Sequence, residues 1–321
     1  MTNSSVTKLT DNEMILFFKN KNISLGLYSE KELIFFLKNN TYFFKLISYR
    51  KTFPYENNKY SNLSVDALID MSTIDMQLRY IFLKICLDLE HSLKTQLINE
   101  ITFNTDDNGY TFLNNFIDST NNPRSTRRKL LKMVKRTDEA LYEKYQENLP
   151  IWVALECSEF AWTESIIRFY IASHPTSALA KLRVRRPDGQ QDITLLTYVR
   201  NIRNKSAHNS IILNRITTAV EESAEIPNAS NITKTFVSKA HVSNNSSRKK
   251  LRIPVILDMT TTLAIYDNMV SSHEMKKRRY TELKQLMLRI KKNKQYYKKN
   301  NSLTSIYNYF NQLVNYLNLH S

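Results

Sequence analysis

The sequence predicts an all-α protein built as a helical bundle, and three observations lead to that prediction. Glycine occurs three times and proline seven times in 321 residues, whereas turn-rich β architectures need more glycine. Long stretches repeat apolar residues at three- and four-residue steps, as amphipathic helices do. A hydrophobic content of 42% is enough to bury a sizeable core, in one large domain or two small ones. The scarcity of glycine also excludes Gly-rich phosphate and dinucleotide loops.

The first elements are two short helices, predicted over residues 11–20 and 29–47. Asp11 and Ser29 are suitable N-caps, because short polar side chains accept hydrogen bonds from the free N–H groups of a first turn. Glu32, three residues after Ser29, completes a capping-box pattern.

The strongest helical pattern covers about residues 66–101 and ends in a polar stretch that contains Gly109. Apolar side chains recur on one face of this helix. They are Leu78, Phe82, Ile85, Leu89 and Leu93. Four charged residues largely fall outside that face. They are Asp75, Arg79, Asp88 and Lys94.

The second half of the chain continues as helices. Residues 124–136 carry seven Lys or Arg and no acid, and residues 150–173 and 190–213 form two further helices. Residues 216–253 are rich in Ser, Thr and Asn, and residues 255–321 return to helix with a very basic middle.

These patterns divide the chain into four predicted parts. Residues 1–65 form an N-terminal helical extension, and residues 66–215 form the helical core. Residues 216–253 form a linker or an irregular insertion, and residues 254–321 form basic C-terminal helices.

The net charge is +16 at pH 7, so we expect a polyanionic partner. Nucleic acid is the first candidate and a membrane surface the second. A basic surface that serves solubility alone is the third possibility.

Neither a disulfide nor a metal centre is expected, because Cys86 and Cys157 are far apart and each lies in an apolar helical context. The N-terminus lacks an apolar signal segment, and no apolar run approaches the roughly 20 residues that span a bilayer. We therefore expect a cytoplasmic protein without a cofactor or a membrane partner.

One hexapeptide, Arg203 to His208, combines the groups that RNA cleavage needs. Arginine offers a permanently charged fork of donors to a phosphate, and histidine titrates near neutral pH. On a helix, Arg203 and His208 lie about 140° apart, whereas Asn204 and His208 stack at four-residue spacing. The Asn204 amide is therefore placed to orient the imidazole or the ribose.

This motif carries two readings. A single histidine on a helix is more often a packing or surface residue than a catalyst. If it is catalytic, one His208 cannot easily serve as both acid and base, so the chemistry predicts a two-fold homodimer with a shared cleft.

Four blocks of sequence, in order, resemble the AbiD/AbiF-type abortive-infection (Abi-like) family of bacterial phage-defence proteins. That family lies within the HEPN RNase superfamily, which also supplies the nuclease domains of RNA-guided CRISPR effectors. Ser48 stands where the family has a glycine before the first block. The blocks are residues 49–53, residues 74–79 with 89–94, residues 149–156, and residues 203–215.

The resemblance implies a HEPN-like helical core, metal-independent RNA cleavage, dimerisation through the motif helix and control by a small structured RNA. By position, Arg203 and His208 are its catalytic pair and Asn204 their polar companion. Glu90 and Lys94 match a charged pair on the preceding helix, although such a pair can equally be a surface salt bridge. A further arginine one turn before the motif is a supporting residue that could reach phosphate. It is Arg200.

RNA contacts are expected where cations are concentrated, with aromatic side chains interleaved. Residues 275–300 carry eleven Lys or Arg against one acid, although a solvated helix face or a helix on an anionic membrane would show the same excess. The predicted RNA-binding residues are Arg50, Arg127, Arg128, Lys132, Arg183, Arg185, Arg186, Lys276, Lys277, Arg278, Arg279, Arg289, Lys291, Lys292, Tyr296 and Tyr297.

The sequence thus predicts a HEPN-type endoribonuclease that is bound and regulated by a noncoding RNA. The alternatives are a non-catalytic RNA-binding protein that keeps a HEPN-like dimerisation fold, and a scaffold for a protein partner.

Overall fold

The fold is all-α, as the sequence predicted. The structure, a computed structural model, describes residues 8–103, 108–184, 193–217 and 230–320. Within these ranges, the helices are α1 (Asp11–Asn20), α2 (Glu30–Asn39), α3 (Phe43–Ser48), α4 (Val65–Phe103), α5 (Gly109–Asp118), α6 (Pro123–Thr137), α7 (Glu139–Tyr145), α8 (Ile151–Glu156), α9 (Phe160–Ser173), α10 (Leu196–Ala207), α11 (Asn231–Lys239), α12 (Asn244–Lys250), α13 (Pro254–Met269), α14 (His273–Lys292) and α15 (Asn301–Leu319).

Short strands pair at three places between the helices. β1 pairs with β4 in parallel, and the pairs β2–β3 and β5–β6 are antiparallel. The strands are β1 (Ile23–Ser24), β2 (Tyr55–Glu56), β3 (Lys59–Tyr60), β4 (Leu63–Ser64), β5 (Arg183–Val184) and β6 (Ile193–Thr194). Turns of 3₁₀ helix occupy Tyr49–Thr52, Ala178–Leu182 and Lys294–Tyr296.

Helix α4 is the centre of the bundle. Its 39 residues span about 58 Å at 1.5 Å per residue, and buried side chains run from Val65 to Ile101. It packs against α9, α10, α13 and α14. The predicted helix over 66–101 is therefore confirmed, with one more residue at its start and two at its end.

Helix α13 lies inside the bundle rather than on its surface. Every residue from Val255 to Tyr266 is buried, and the helix packs against α4, α10 and α11. Phe82 of α4, Leu263 of α13 and Leu313 of α15 belong to one continuous apolar core. The C-terminal helices thus complete the core that α4 begins.

Two predicted helices are interrupted. The stretch 29–47 forms α2 and α3, and the stretch 150–173 forms α8 and α9. Ser158 lies at the second break, where its hydroxyl donates to the Leu155 carbonyl at 2.9 Å and ends α8. Such a local hydroxyl bond competes with the helix ladder.

The Ser- and Asn-rich segment, predicted as a linker or an irregular insertion, contains the helices α11 and α12 in its described part. The hydroxyls of Ser230 and Ser243 accept hydrogen bonds from the N–H groups of Thr233 and Ser246, so these serines are the N-caps of α11 and α12. The residue types that indicated a loop are therefore helix starts.

Of the two N-caps predicted in the N-terminal region, one is confirmed. Ser29 and Glu32 form the predicted capping box of α2. In α1 the capping box is formed by Thr10 and Glu13, one residue before the predicted cap at Asp11. Each helix in the described ranges is too short or too polar to cross a bilayer.

Candidate functional site

The Arg203–His208 motif occupies the last turns of α10, a helix that is fixed from several sides. On the α9 side, the buried carboxylate of Glu164 accepts hydrogen bonds from Thr194 at 3.0 Å and Thr197 at 2.8 Å. Arg200 of α10 forms an ion pair with Glu164 at 2.8 Å, and Arg168 adds another at 3.1 Å. A buried carboxylate with this many donors is a strong anchor for the start of α10.

A second anchor joins α10 to α13. The buried Asp258 accepts a hydrogen bond from the Asn201 amide at 3.1 Å and lies 3.7 Å from the Lys205 ammonium. Burial raises the pKa of Asp258, and the contacts to Asn201 and Lys205 oppose that rise. On the α4 side, the Cys86 thiol lies 3.9 Å from the Val199 carbonyl. These contacts determine which face of α10 is left at the surface.

The surface face of α10 carries the motif. Asn204, Ala207 and His208 are exposed, and Arg203 is half-buried. The Arg203 Nη1 lies 3.5 Å from the Asn204 Oδ1, and its Nε is buried without a hydrogen-bond partner among the described residues. The His208 backbone N–H donates to the Asn204 carbonyl at 3.0 Å. The structure thus brings Arg203 and Asn204 together and leaves the imidazole of His208 open to solvent.

Glu90 and Lys94 lie on α4 beside the motif helix and form a largely buried ion pair at 2.9 Å. The Lys94 ammonium also donates to the Ser158 carbonyl at 3.3 Å. Burial raises the pKa of the Cys86 thiol; the Arg203 charge opposes this effect and the Glu90 charge adds to it. The Glu90 and Arg203 charges therefore both act on this one buried thiol at the α4–α10 contact. The pair is therefore more enclosed than an ordinary surface salt bridge.

The segment after the motif is held by one buried carboxylate. The Asp75 Oδ1 accepts hydrogen bonds from the backbone N–H groups of Ile212 at 2.8 Å and Leu213 at 2.7 Å. Its Oδ2 accepts from the Tyr49 hydroxyl at 3.0 Å and from the Arg79 guanidinium. Burial raises the pKa of Asp75, and the backbone donors and Arg79 oppose the rise. Tyr49, Asp75 and Arg79 are hereafter called the carboxylate knot.

Three further bonds fix the same segment. Arg79 donates to the Ser210 carbonyl at 3.4 Å, Lys45 to Asn209 at 3.3 Å and Thr52 to Leu213 at 3.1 Å. Residues 209–213, directly after His208, are thereby tied to α3, the following 3₁₀ turn and α4. The knot thus fixes the position of the chain that leaves the motif.

Sequence reasoning missed the knot, because it placed Asp75 and Arg79 outside the apolar face of α4. The side chains are 0% and 3% exposed. An Asp and an Arg at four-residue spacing were the available signal, but the same spacing is also typical of surface salt bridges. The deciding partners are the backbone N–H groups of Ile212 and Leu213, which no helix pattern could reveal.

The predicted RNA contacts on α6 are partly at the surface. Arg128 and Lys132 are exposed. Arg127 is half-buried, and its Nη2 donates to the Asn114 Oδ1 at 2.5 Å. This face of α6 therefore presents cations to solvent.

Other predicted contacts lie elsewhere. Arg50 donates from Nη1 to the Ile47 carbonyl at 2.7 Å and covers the Phe17 ring, with its guanidinium carbon 5.4 Å from the ring centroid. Arg183 is half-buried in β5. Two of the predicted contacts lie outside the described residues: Arg185 and Arg186.

Several predicted contacts on and after α14 are occupied within the protein. The Arg279 Nε lies 2.8 Å from the Asp88 carboxylate, and the Arg289 Nη2 lies 2.6 Å from that of Asp70. The buried Tyr297 donates to the same Asp70 at 2.5 Å, so its ring is not free to stack on a base in this conformation. These side chains fasten α14 and the turn after it to α4.

The remaining predicted cations of α14 form an exposed surface. The Lys276 ammonium donates to the Asp267 carbonyl at 2.6 Å, and Tyr296 is half-buried. The exposed members are Lys277, Arg278, Lys291 and Lys292. This exposed set is the part of the basic run that is open to a polyanion.

No group of three or more His, Cys, Asp or Glu in the described ranges is arranged to hold a metal ion. Cys86 and Cys157 are free and buried, as the sequence predicted.

A family model described as "Abi-like protein" matches residues 35–214 of the chain. The chain belongs to this family. The match associates the Abi-like protein with abortive infection, a form of phage defence. Searches of curated proteins and of solved structures found no match to the chain. The family match covers α3, the whole of α4, α10 and the carboxylate knot, so it contains both the motif and the side chains that position it.

Proposed function

We propose that this Abi-like protein is a metal-independent endoribonuclease of the HEPN type that acts in abortive infection. The observation that carries the proposal is the arrangement at the end of α10. An exposed imidazole and a half-buried guanidinium lie at the surface end of a helix that Glu164 and Asp258 anchor, and the carboxylate knot holds the chain directly after it. A guanidinium that can bind phosphate oxygens and an accessible imidazole that can transfer protons are suited to phosphodiester cleavage.

The proposed reaction is attack of an RNA 2′-OH on the adjacent phosphorus. One imidazole accepts the 2′-OH proton as the O–P bond forms, and a second donates a proton to the departing 5′-oxygen as its P–O bond breaks. The products are a 2′,3′-cyclic phosphate and a 5′-hydroxyl end. Arg203 stabilises the charge on the phosphate oxygens, and Asn204 orients the ribose or the imidazole.

The two imidazoles come from two protomers. Each chain supplies one His208 at the exposed face of α10, together with Asn204 and Ala207. A two-fold axis through this face would place two Arg203 and two His208 side chains along one cleft. The proposal therefore includes a homodimer that is required for catalysis.

RNA is held by the exposed cations of α6 and α14, and a small structured noncoding RNA regulates the enzyme in the cytoplasm. The net charge of +16 and the exposed Arg128, Lys132, Lys277 and Lys292 support an RNA partner because phosphate neutralisation dominates such binding.

The test replaces His208 by Ala. We expect RNA cleavage to fall at least about 100-fold, while RNA affinity changes less than about two-fold because His208 carries no permanent charge. His273→Ala is the matched control, since His273 is also exposed and lies on α14. Cleavage is measured by mapping 2′,3′-cyclic phosphate ends, and affinity by filter binding.

Mixed dimers distinguish an active site that two protomers share from an active site that lies within each protomer. A heterodimer of Arg203→Ala and His208→Ala chains should have one incomplete cleft and little activity. Full cleavage by the His208→Ala homodimer would refute the catalytic assignment. Tight RNA binding by the unmodified protein with no cleavage product would instead support a non-catalytic RNA-binding protein.

A further inference from the structure

A largely apolar cavity of about 380 Å³ lies among α4, α13, α14 and α15, apart from the motif. This volume falls within the range of about 300–1,000 Å³ that small-molecule sites occupy. Side chains from all four helices form its walls. They include Leu78, Phe82, Met259, Leu283, Ile306 and Val314.

The cavity has a charged rim of one sign. Lys291, Lys294 and Lys298 line it and are exposed. Among the described residues, no acid lines the cavity, and no side-chain acceptor contacts these three ammonium groups. An apolar interior with cations at its edge is complementary to a molecule that has an aliphatic body and one anionic end.

We propose that this cavity binds an amphipathic anion, with an aliphatic chain among α4, α13, α14 and α15 and a carboxylate at Lys291, Lys294 and Lys298. The chain would remove apolar surface from water. The carboxylate would accept charge-assisted hydrogen bonds at the rim. A nucleotide base is a poor occupant, since the apolar walls leave its polar edge groups without partners.

The site is separate from the motif, although it shares Lys291 with the exposed α14 cations and shares a wall with the segment that follows the motif. Leu213 lines the cavity, and its backbone N–H donates to Asp75 at 2.7 Å. An occupant would therefore contact the segment that follows His208.

The experiment titrates the full-length protein with dodecanoate, below its micelle concentration, by isothermal calorimetry. We expect saturable binding of one molecule per chain. Replacement of Lys291, Lys294 and Lys298 by Gln should weaken dodecanoate at least ten-fold and leave dodecanol within two-fold. The matched control replaces Lys277, Lys284 and Lys292 by Gln, which removes the same charge from exposed positions of α14 that do not line the cavity; it should leave dodecanoate binding within two-fold.

A second variant, Leu283→Trp, fills the cavity and should abolish binding of both ligands while circular dichroism stays unchanged. If Leu283→Trp does not fold, the variant with Gln at Lys291, Lys294 and Lys298, here called the rim variant, alone tests the proposal. Absence of saturable dodecanoate binding would overturn the site. Equal dodecanoate affinity in the rim variant and the unmodified protein would overturn the anion assignment, as would equal weakening by the control.

Discussion

Asp75 is a fully buried carboxylate in a helix that the sequence makes strongly apolar. A charge there is tolerated because two backbone N–H groups, a tyrosine hydroxyl and the Arg79 guanidinium surround it. Removal of water from a charged group is costly, and only such a complete set of donors offsets the cost. The donors of the knot therefore depend on one another: each stabilises the buried carboxylate, which is the acceptor for all the others.

Asp75→Asn is expected to destabilise the protein by about 3–5 kcal/mol, the usual cost of breaking a buried ion pair. The amide oxygen can still accept from Ile212 and Leu213, but its NH₂ group then faces the Arg79 guanidinium. Urea unfolding measures the change. Asp11→Asn is the control, because Asp11 pairs with Lys38 at 2.6 Å on the open surface and should cost less than about 1 kcal/mol. Equal losses in the two variants would contradict this account of the knot.

At the scale of elements, Asp258 joins α13 to α10. Its folded-state pKa is raised above the ordinary 3.8, so the native state binds this proton more tightly than the unfolded state does. Its ionisation therefore lowers the free energy of unfolding as pH rises from 3.8 through the raised value.

Asp258→Asn removes this ionisation and keeps an acceptor for the Asn201 amide. We expect the difference in Tm between the variant and the unmodified protein to become more positive from about pH 4 to about pH 7. Lys205→Gln keeps the carboxylate but removes a charge that favours its ionised form, so its difference in Tm should become more negative. Thermal unfolding at both pH values checks the two signs, and a pH-independent difference for Asp258→Asn would be the contrary result.

The basic run on α14 divides into two sets that sequence counting could not separate. Arg279 and Arg289 reach Asp88 and Asp70 on α4, whereas Lys277 and Lys292 are exposed. The length of α4 and the all-α class were predictable from the spacing of apolar residues. The pairing of a cation with an acid about 200 residues earlier was not, since it depends on how α14 packs against α4.

The exposed set predicts the salt dependence of RNA binding. Replacement of four α14 cations by Gln should reduce the slope of log affinity against log salt by up to about 3, at roughly 0.7 per lost phosphate contact. The four are Lys277, Arg278 and Lys292 of that set and the exposed Lys284, which lie within about 120° of the helix surface; Lys291 is left unchanged because it lines the cavity.

The control for the α14 variant replaces four exposed lysines of the N-terminal region by Gln, which removes the same amount of charge. They are Lys19, Lys31, Lys38 and Lys51. If both sets of substitutions reduce the slope equally, RNA affinity depends on the net charge of the protein and not on the α14 surface.

The site depends on the whole molecule, although the family match ends at residue 214. The motif could be recognised in the sequence because its arginine and histidine are the residue types that the proposed chemistry needs. The contacts that position the motif were not predictable, because Asp258 comes from α13 and the knot joins α4 to residues about 137 positions later. The four-part division of the chain stays a prediction, and the continuous core bears directly on its last boundary.

That core predicts the outcome of truncation. A chain that ends at residue 253 lacks α13, α14 and α15, so it exposes apolar faces of α4 and α10 and leaves Asn201 and Lys205 without Asp258. We expect this fragment to lose cooperative urea unfolding, whereas removal of residues 319–321 should leave the transition unchanged because Leu319 is 80% exposed. A sharp two-state transition in the shorter fragment would instead make the C-terminal helices a separable domain.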